Sequence, residues 1–305
     1  MKRIMILGAN GFLGTSIFSE LQKNETNRIT LFSRSKCAYN GNIAIEITDD
    51  LSNLAAYKSQ LCEQDFIFYM AGLSGAALSN AKGPDFIISN EVYLLSLLDL
   101  IKNEKNPPAI IFPSSRLVYD SAPLPVDEHG QISPNSIYAL CKLHSENLLS
   151  LYNKLYNIPY LVLRISIPFG FTNVLHNGYG IVNHFIQQSL HGRSIELFGK
   201  GDQRRDIIYI QDLKSIFGTC IEQFERIKNQ VFNCGGTTIY SLADIAYQVV
   251  ESLQAGAVVH VDWPEEYKRV ETGDISLNSE KLYSALNFRP YFDLQMALSQ
   301  IKSLL

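Results

Sequence analysis

The chain has 305 residues, 46% of them hydrophobic, and a formal net charge of −4, enough material for one large core or two domains. That balance argues against a nucleic-acid partner, because a duplex binder carries a basic stripe to neutralise phosphates and a sequence pI of about 5.9 offers none overall, local basic clusters aside. The five cysteines (Cys37, Cys62, Cys141, Cys220, Cys234) form no Cys-x-x-Cys pair and sit mostly within apolar segments, the pattern of buried thiols in a reducing compartment, and no metal site is expected. The first strand begins at the N-terminus and no apolar run reaches the ~18 residues of a membrane span, so a cytoplasmic protein with no membrane partner is expected.

Ile4-Met5-Ile6-Leu7 reads as a strand running straight into Gly8-Ala9-Asn10-Gly11-Phe12-Leu13-Gly14. Glycines three apart reverse the backbone without a Cβ clash, bring bare N–H groups to a pyrophosphate, and let the next helix pack close on the strand. The spacing predicts a helix over 15–22, with Ile17, Phe18 and Leu21 on one side, and a second strand over 29–32. At that strand's tip an acidic residue suits adenosine ribose hydroxyls, whereas a small polar residue followed by arginine suits a 2′-phosphate. Ser33-Arg34 stands there, so the expected cofactor is NAD(P), leaning to NADP. Further strands are expected over 43–45 and 65–72, the latter ending in Ala71 and Gly72 where cofactor would lie. Strands alternating with helices indicate an α/β fold with a doubly wound parallel sheet, whose ligands gather beyond the strand carboxyl ends.

Residues 90–102 carry Val92, Leu94, Leu95, Leu97, Leu98, Leu100 and Ile101, more apolar surface than one face of a surface helix needs, which predicts packing on both the sheet and a partner. A strand from Ala109 runs into Pro113-Ser114-Ser115-Arg116-Leu117-Val118-Tyr119, and a helix starting near Ser136 runs towards Tyr156, with Tyr138 and Lys142 on one face. A phenol with pKa ~10 is a poor base at neutral pH, but an adjacent ammonium favours the phenolate and brings it into range for proton exchange with a substrate hydroxyl. A serine hydroxyl from the strand end can hold the same substrate oxygen. Later in the chain, a helix is expected after Gly178-Tyr179-Gly180-Ile181-Val182, a strand over 194–198, and an amphipathic helix over 242–253. His129, His144, His176, His184, His191 and His260 have no ligand-like spacing and read as structural or surface residues.

With these residues in place the chain resembles the extended short-chain dehydrogenase/reductase family, the NAD-dependent nucleotide-sugar epimerases, dehydratases and reductases. The resemblance covers essentially the whole length. It rests on Gly8-x-x-Gly11-x-x-Gly14, Pro113-Ser114-Ser115-x-x-Val118-Tyr119, Tyr138-x-x-x-Lys142, Leu163-Arg164, Phe169-Gly170 and the run from Gly199 to Leu213. It implies a Rossmann domain over 1–165, with 203–233 returning to it, and a smaller C-terminal α/β substrate domain made of 166–202 and 234–305. It further implies Ser115, Tyr138 and Lys142 as catalytic residues, with Lys142 also bonding the nicotinamide ribose. The expected cofactor-binding set is Gly8, Asn10, Gly11, Phe12, Leu13, Gly14, Ser33, Arg34, Ala71, Gly72, Asn90, Tyr138 and Lys142. Ser115 and Arg205 are expected on a nucleotide-sugar substrate, and the resemblance implies a homodimer through 90–102 and 136–156.

Departures from the family pattern narrow the chemistry. Sugar 4,6-dehydratases carry an acidic pair after the catalytic hydroxyl residue; here Arg116 and Leu117 occupy those places, which tells against elimination. Ile167 replaces a common asparagine, and Glu271 replaces the arginine of a late Arg-x-Gly-Asp motif. Arg205 is left as the candidate diphosphate clamp; Arg204, Lys268 and Arg269 are possible substitutes, read first as solvated surface residues. The leading expectation is an NAD(P)-dependent nucleotide-sugar epimerase acting at C4 through a transient keto-sugar. An NADPH-dependent nucleotide 4-keto-sugar reductase is the alternative, and a cofactor-binding protein without turnover the third, since fold alone does not fix function. Substrate choice is expected to depend on loops at 74–86, 120–130 and 171–180.

Overall fold

The computed structural model of the chain describes residues 1–37, 45–120, 124–171 and 180–304. Its strands are β1 (Arg3–Leu7), β2 (Arg28–Ser33), β3 (Ile45–Thr48), β4 (Phe66–Tyr69), β5 (Ala109–Ser115), β6 (Tyr160–Ile165), β7 (Ile167–Phe169), β8 (Ser194–Phe198), β9 (Arg204–Tyr209), β10 (Gln230–Cys234), β11 (Ile239–Ser241) and β12 (Ala257–Val261). The chain divides into two units, one of residues 1–115, 136–164 and 217–232, the other of residues 116–135, 165–216 and 233–305.

The first unit is built on a seven-stranded sheet in the order β10-β6-β5-β4-β1-β2-β3. Each of the pairings β1 with β2, β1 with β4, β2 with β3 and β4 with β5 is parallel. Since β2 and β3 lie to one side of β1 and β4 to the other, the winding reverses between β1 and β4, which is where a doubly wound sheet opens a crevice. The turn after β1 is what makes close packing there feasible. Gly8 adopts φ 85°, and a Cβ on it would lie 2.6 Å from the Ala71 nitrogen after β4. Gly14 sits so tightly that its Cβ would run into the Gly8 carbonyl oxygen. The helix Phe12–Leu21 therefore lies directly against the strand end that feeds it.

Helix Tyr93–Ile101 explains the apolar excess of its segment. Leu94, Leu97, Leu98 and Ile101 are fully buried in the core with Met5, Leu7, Ile67 and Phe112, each such side chain contributing about 1.5–3 kcal/mol by leaving water. Val92 and Leu95 remain 43% and 38% exposed on the other side. With Leu151 of helix Ile137–Tyr156 they line an open apolar groove of about 400 Å³, rimmed by Glu91 and His144. The long helix starts where expected because the Ser136 hydroxyl accepts from Ala139 N, and it stops at Asn157 in the left-handed conformation.

In the second unit, β11, β9 and β7 form one sheet and β12 and β8 a two-stranded parallel one. Helix Leu242–Leu253 begins on a reciprocal cap, Ser241 accepting from Asp244 N while Asp244 accepts from Ser241 N. Two local expectations need correction. Segment 74–86 is not a plain loop but holds helices Ala76–Ala81 and Gly83–Ile87, and residues 88–92 form a π-turn ahead of the helix at 93. The expected strand at 43–45 and the approach to the helix at 180 fall partly on residues outside those described; the described elements are β3 and helix Gly180–Leu190. Most of the loop at 171–180, and 121–123 of the loop at 120–130, also lie outside.

Candidate active site

A cleft of about 370 Å³ opens at the carboxyl ends of β1, β2 and β4. Of the residues expected to bind cofactor, Gly8, Asn10, Gly11, Ser33, Arg34, Ala71 and Gly72 line it. Phe12 and Leu13 are buried in the first helical turn beside Gly14, where they fix the turn. Asn10 staples the glycine turn to the segment after β2, its Nδ2 donating to the Ser35 carbonyl at 2.7 Å and the Ser35 hydroxyl at 2.9 Å.

Sequence reasoning did not single out Asp49, Asp50, Leu51, Met70 or Tyr93, which also line the cleft. An acidic pair closely following a short strand was the available signal. Both carboxylates accept hydrogen bonds from the protein. Asp49 accepts from Asp50 N, Asn53 Nδ2 and Tyr57 Oη, and Asp50 from Ser52 N at 2.9 Å. The Ser52 amide holds the Asp50 carboxyl below the usual range, with the Arg34 guanidinium adding to the effect.

Asn90 sits in the π-turn, a helix irregularity that recurs at functional sites. Its Nδ2 donates to the carbonyls of Phe86 at 3.0 Å and Leu73 at 3.2 Å, while Oδ1 is buried against Gly72 with no hydrogen-bond donor. A buried carbonyl oxygen left open beside the cleft is a polar group awaiting a partner.

Ser115 ends β5, and Tyr138 and Lys142 lie one turn apart on helix Ile137–Tyr156. Lys142 is buried; its Nζ donates to the Pro113 carbonyl at 2.7 Å, two residues before Ser115, and stands 5.7 Å from the Tyr138 ring centroid and 4.6 Å from that of Phe112. Burial pulls its pKa down to about 8, partly opposed by Cys141 and Glu146. Ser114 beside Ser115 donates to Glu146, which in turn pairs with Arg164 of β6 at 2.7 Å, so buried polar bonds tie β5, the helix and β6 together. Tyr138 is held by ring packing on Phe86, centroids 6.4 Å apart, and by a bond from its backbone N to Ser79 Oγ at 3.0 Å.

In the second unit Arg205 is buried in an ion pair with Glu271 at 2.6 Å. Next to it, Asp206 is buried with neither oxygen in a hydrogen bond of ordinary geometry, and desolvation raises its pKa to about 7 despite the nearby Arg116 guanidinium. Among the described residues no group of His, Cys, Asp or Glu is placed to hold a metal ion, and no helix is long and apolar enough to cross a membrane.

A parallel sheet with its crevice at the winding reversal, entered by a glycine turn, defines a Rossmann-type α/β protein. Residues 4–235 match the NAD dependent epimerase/dehydratase family. The chain belongs to that family, a family of enzymes. It is 27% identical to a putative UDP-glucose 4-epimerase of Methanocaldococcus jannaschii, over 98% of this chain and 96% of the relative. Its fold is similar to that of the UDP-glucose 4-epimerase of Thermotoga maritima solved with UDP-glucose, with a TM-score of 0.88 at 20% identity over 99% and 97% of the two chains. It is also similar to the UDP-glucuronic acid 4-epimerase of Bacillus cereus solved with UDP-glucuronic acid and NAD, with a TM-score of 0.85 at 22% identity over 99% and 98%.

Proposed function

We propose that the chain is an NAD(P)-dependent nucleotide-sugar epimerase acting at C4 through a transient keto-sugar. The observation that carries this reading is the buried Lys142 ammonium, fixed by the carbonyl of Pro113 near Ser115 and lying against the Tyr138 ring. The cleft suits a dinucleotide: Gly8, Asn10 and Gly11 of the glycine turn line it just ahead of the N-terminus of helix Phe12–Leu21, and Asn90 Oδ1 is an acceptor without a donor. Gly8, Asn10, Gly11, Ser33, Arg34, Ala71 and Gly72 would hold its pyrophosphate and adenosine end, and Lys142 its nicotinamide ribose. When bound, the nicotinamide supplies a reversible hydride acceptor.

The residues then divide the proton work. With its pKa at about 8, Lys142 is mostly charged at neutral pH and stabilises the Tyr138 phenolate. That phenolate removes the proton of the C4 hydroxyl, while the Ser115 hydroxyl donates to the same oxygen as it becomes a carbonyl. After the keto-sugar has turned over, the Tyr138 phenol returns the proton, so neither protons nor electrons are consumed. Arg116 and Leu117 supply no carboxylate for removing a C5 proton, which leaves elimination without its base.

The test is the fate of reducing equivalents. Incubated with a panel of UDP-, dTDP-, GDP- and CDP-sugars and no added reductant, the protein should interconvert at least one hydroxyl epimer pair with no net change in nicotinamide absorbance. One observation favours the second reading, a 4-keto-sugar reductase: Ser33 and Arg34 line the cleft where a 2′-phosphate would lie, and a stoichiometric reductant is usually NADPH. Stoichiometric NADPH oxidation by a 4-keto sugar, with no sugar epimerised, would replace the first reading by the second.

NADP(H) preference rests on Arg34. Asp49 and Asp50 share its end of the cleft, but Asp49 accepts from internal donors at both oxygens and Asp50 at Oδ1, whereas a guanidinium on a 2′-phosphate contributes about 1.5–3 kcal/mol. NADP(H) should therefore bind about tenfold or more tighter than NAD(H), and Arg34→Ala should erase most of the difference in a direct titration. Tighter binding of NAD(H) by the wild type would refute the assignment. The exposed Val92, Leu95 and Leu151 face is proposed to pair with a second copy of the chain, an assignment that a one-chain mass in sedimentation would remove.

A further inference from the structure

Arg205, near the start of β9, has a side chain only 4% exposed, yet it is fully engaged on one edge. Its Nη1 donates to the carbonyls of Arg204 and Gly273, and its Nη2 to Glu271 Oε1 at 2.6 Å. The two ends of the ion pair differ in environment, since the Glu271 side chain is 25% exposed. A buried guanidinium needs an anion, because stripping one partner from a buried pair leaves a charge with no compensation. A quarter-exposed carboxylate, by contrast, regains water as it leaves. Exchange of one anion for another at Arg205 is therefore far less costly than loss of the anion.

The backbone around Glu271 permits such an exchange. Arg204 N donates to Asp274 Oδ1 at 2.7 Å, Ile275 N donates to the Arg204 carbonyl at 3.1 Å, and Ile275 bridges Arg205 in parallel register. These bonds pin residues 274–275 to β9 without the Glu271 carboxylate, so the side chain can leave while the strand contact stays. We infer that Glu271 is the resident counter-ion of an anion subsite at Arg205, and that the diphosphate of a nucleotide sugar binds there by displacing it. The inference rests on the nucleotide-sugar reading above, and makes Glu271 a residue that sets affinity for the charged part of the substrate. A neutral nucleoside, which cannot replace the carboxylate, gains nothing from the exchange.

Glu271→Gln keeps the shape and one acceptor oxygen but removes the competing charge. In calorimetric titrations of the full chain with NAD(P) present, using UDP, dTDP, GDP and CDP and the nucleoside of each, the variant should bind the recognised diphosphate about tenfold tighter than wild type. Affinity for the matching nucleoside should not change. Equal or weaker diphosphate binding by a folded variant overturns the inference and assigns Glu271 to structure alone. Should the variant not fold, a crystal structure of the wild type with the recognised diphosphate decides: Arg205 must have left Glu271 and bonded a phosphate oxygen. Diphosphate binding with the Glu271–Arg205 pair intact overturns the exchange but leaves the nucleotide-sugar reading standing. If none of the four diphosphates binds either protein, both fall together.

Discussion

Tyr138→Phe should slow turnover by about a hundredfold or more while leaving the fold and cofactor affinity close to wild type. The substitution removes one oxygen and little else. Phe86 would still meet the ring edge-on, and the bond from the backbone N of residue 138 to Ser79 Oγ does not involve the side chain. The Lys142 ammonium would still lie over an aromatic face, an interaction that phenylalanine also offers. In the proposed mechanism only the phenolate that exchanges a proton with the sugar hydroxyl is lost, so the defect should appear in kcat, with the unfolding midpoint and the cofactor Kd nearly constant. Near-normal turnover in a well-folded variant would take Tyr138 out of the proton path and leave the epimerase reading without its base.

How far the fold and candidate site were legible in the sequence follows from how local each signal is. The glycine turn was readable because its requirements are backbone ones: Gly8 at φ 85° and Gly14 against the Gly8 carbonyl leave no room for a side chain. Helices 137–156 and 242–253 were readable because their caps are encoded within a few residues, Ser136 for one and Ser241 with Asp244 for the other. The short helices at 76–81 and 83–87 were not, since a helix of about one turn has little intrinsic stability and forms through tertiary contacts. One such contact is the Ile137 backbone N donating to Asn80 Oδ1.

Site geometry was legible where one element carries it and obscure where several converge. Tyr138 and Lys142 share a helix face, and spacing alone put them together. Tyr93, Asp49 and Asp50 reach the same cleft from separate segments, and no pattern in the chain announces that meeting. Glu271 was noticed only as a departure from a motif. Its pairing with Arg205, 66 residues away in sequence, belongs to the three-dimensional structure.

Lys142→Met should have the larger effect on activity, because in the proposed mechanism it removes both the charge that favours the Tyr138 phenolate and a donor for the nicotinamide ribose. A loss of about 10²- to 10⁴-fold in turnover is expected, together with weaker cofactor binding. Its effect on stability should run the other way as pH is varied. Burial lowers the Lys142 pKa from 10.5 to about 8, so below pH 8 the lysine is charged in both the folded and unfolded states and the folded protein bears the full penalty. Between about pH 8 and 10.5 the unfolded chain keeps a proton that the folded one has released, so wild-type stability rises with pH across that window. The rise is on the order of 3 kcal/mol, taking about 1.4 kcal/mol per pKa unit. Methionine fills similar volume without the charge, but leaves the Pro113 carbonyl without its donor, a cost of about 1–3 kcal/mol. The two terms nearly cancel at pH 7, and the variant should be as stable as wild type there within about 2 kcal/mol. By pH 10 the wild type should have regained most of its penalty and be the more stable of the two. Urea unfolding of both proteins at pH 7 and pH 10 measures this, and titration of other lysines, tyrosines and cysteines cancels in the difference between them. A difference that does not change with pH would mean that Lys142 is not held charged in a desolvated site, and the activation of Tyr138 would need another source.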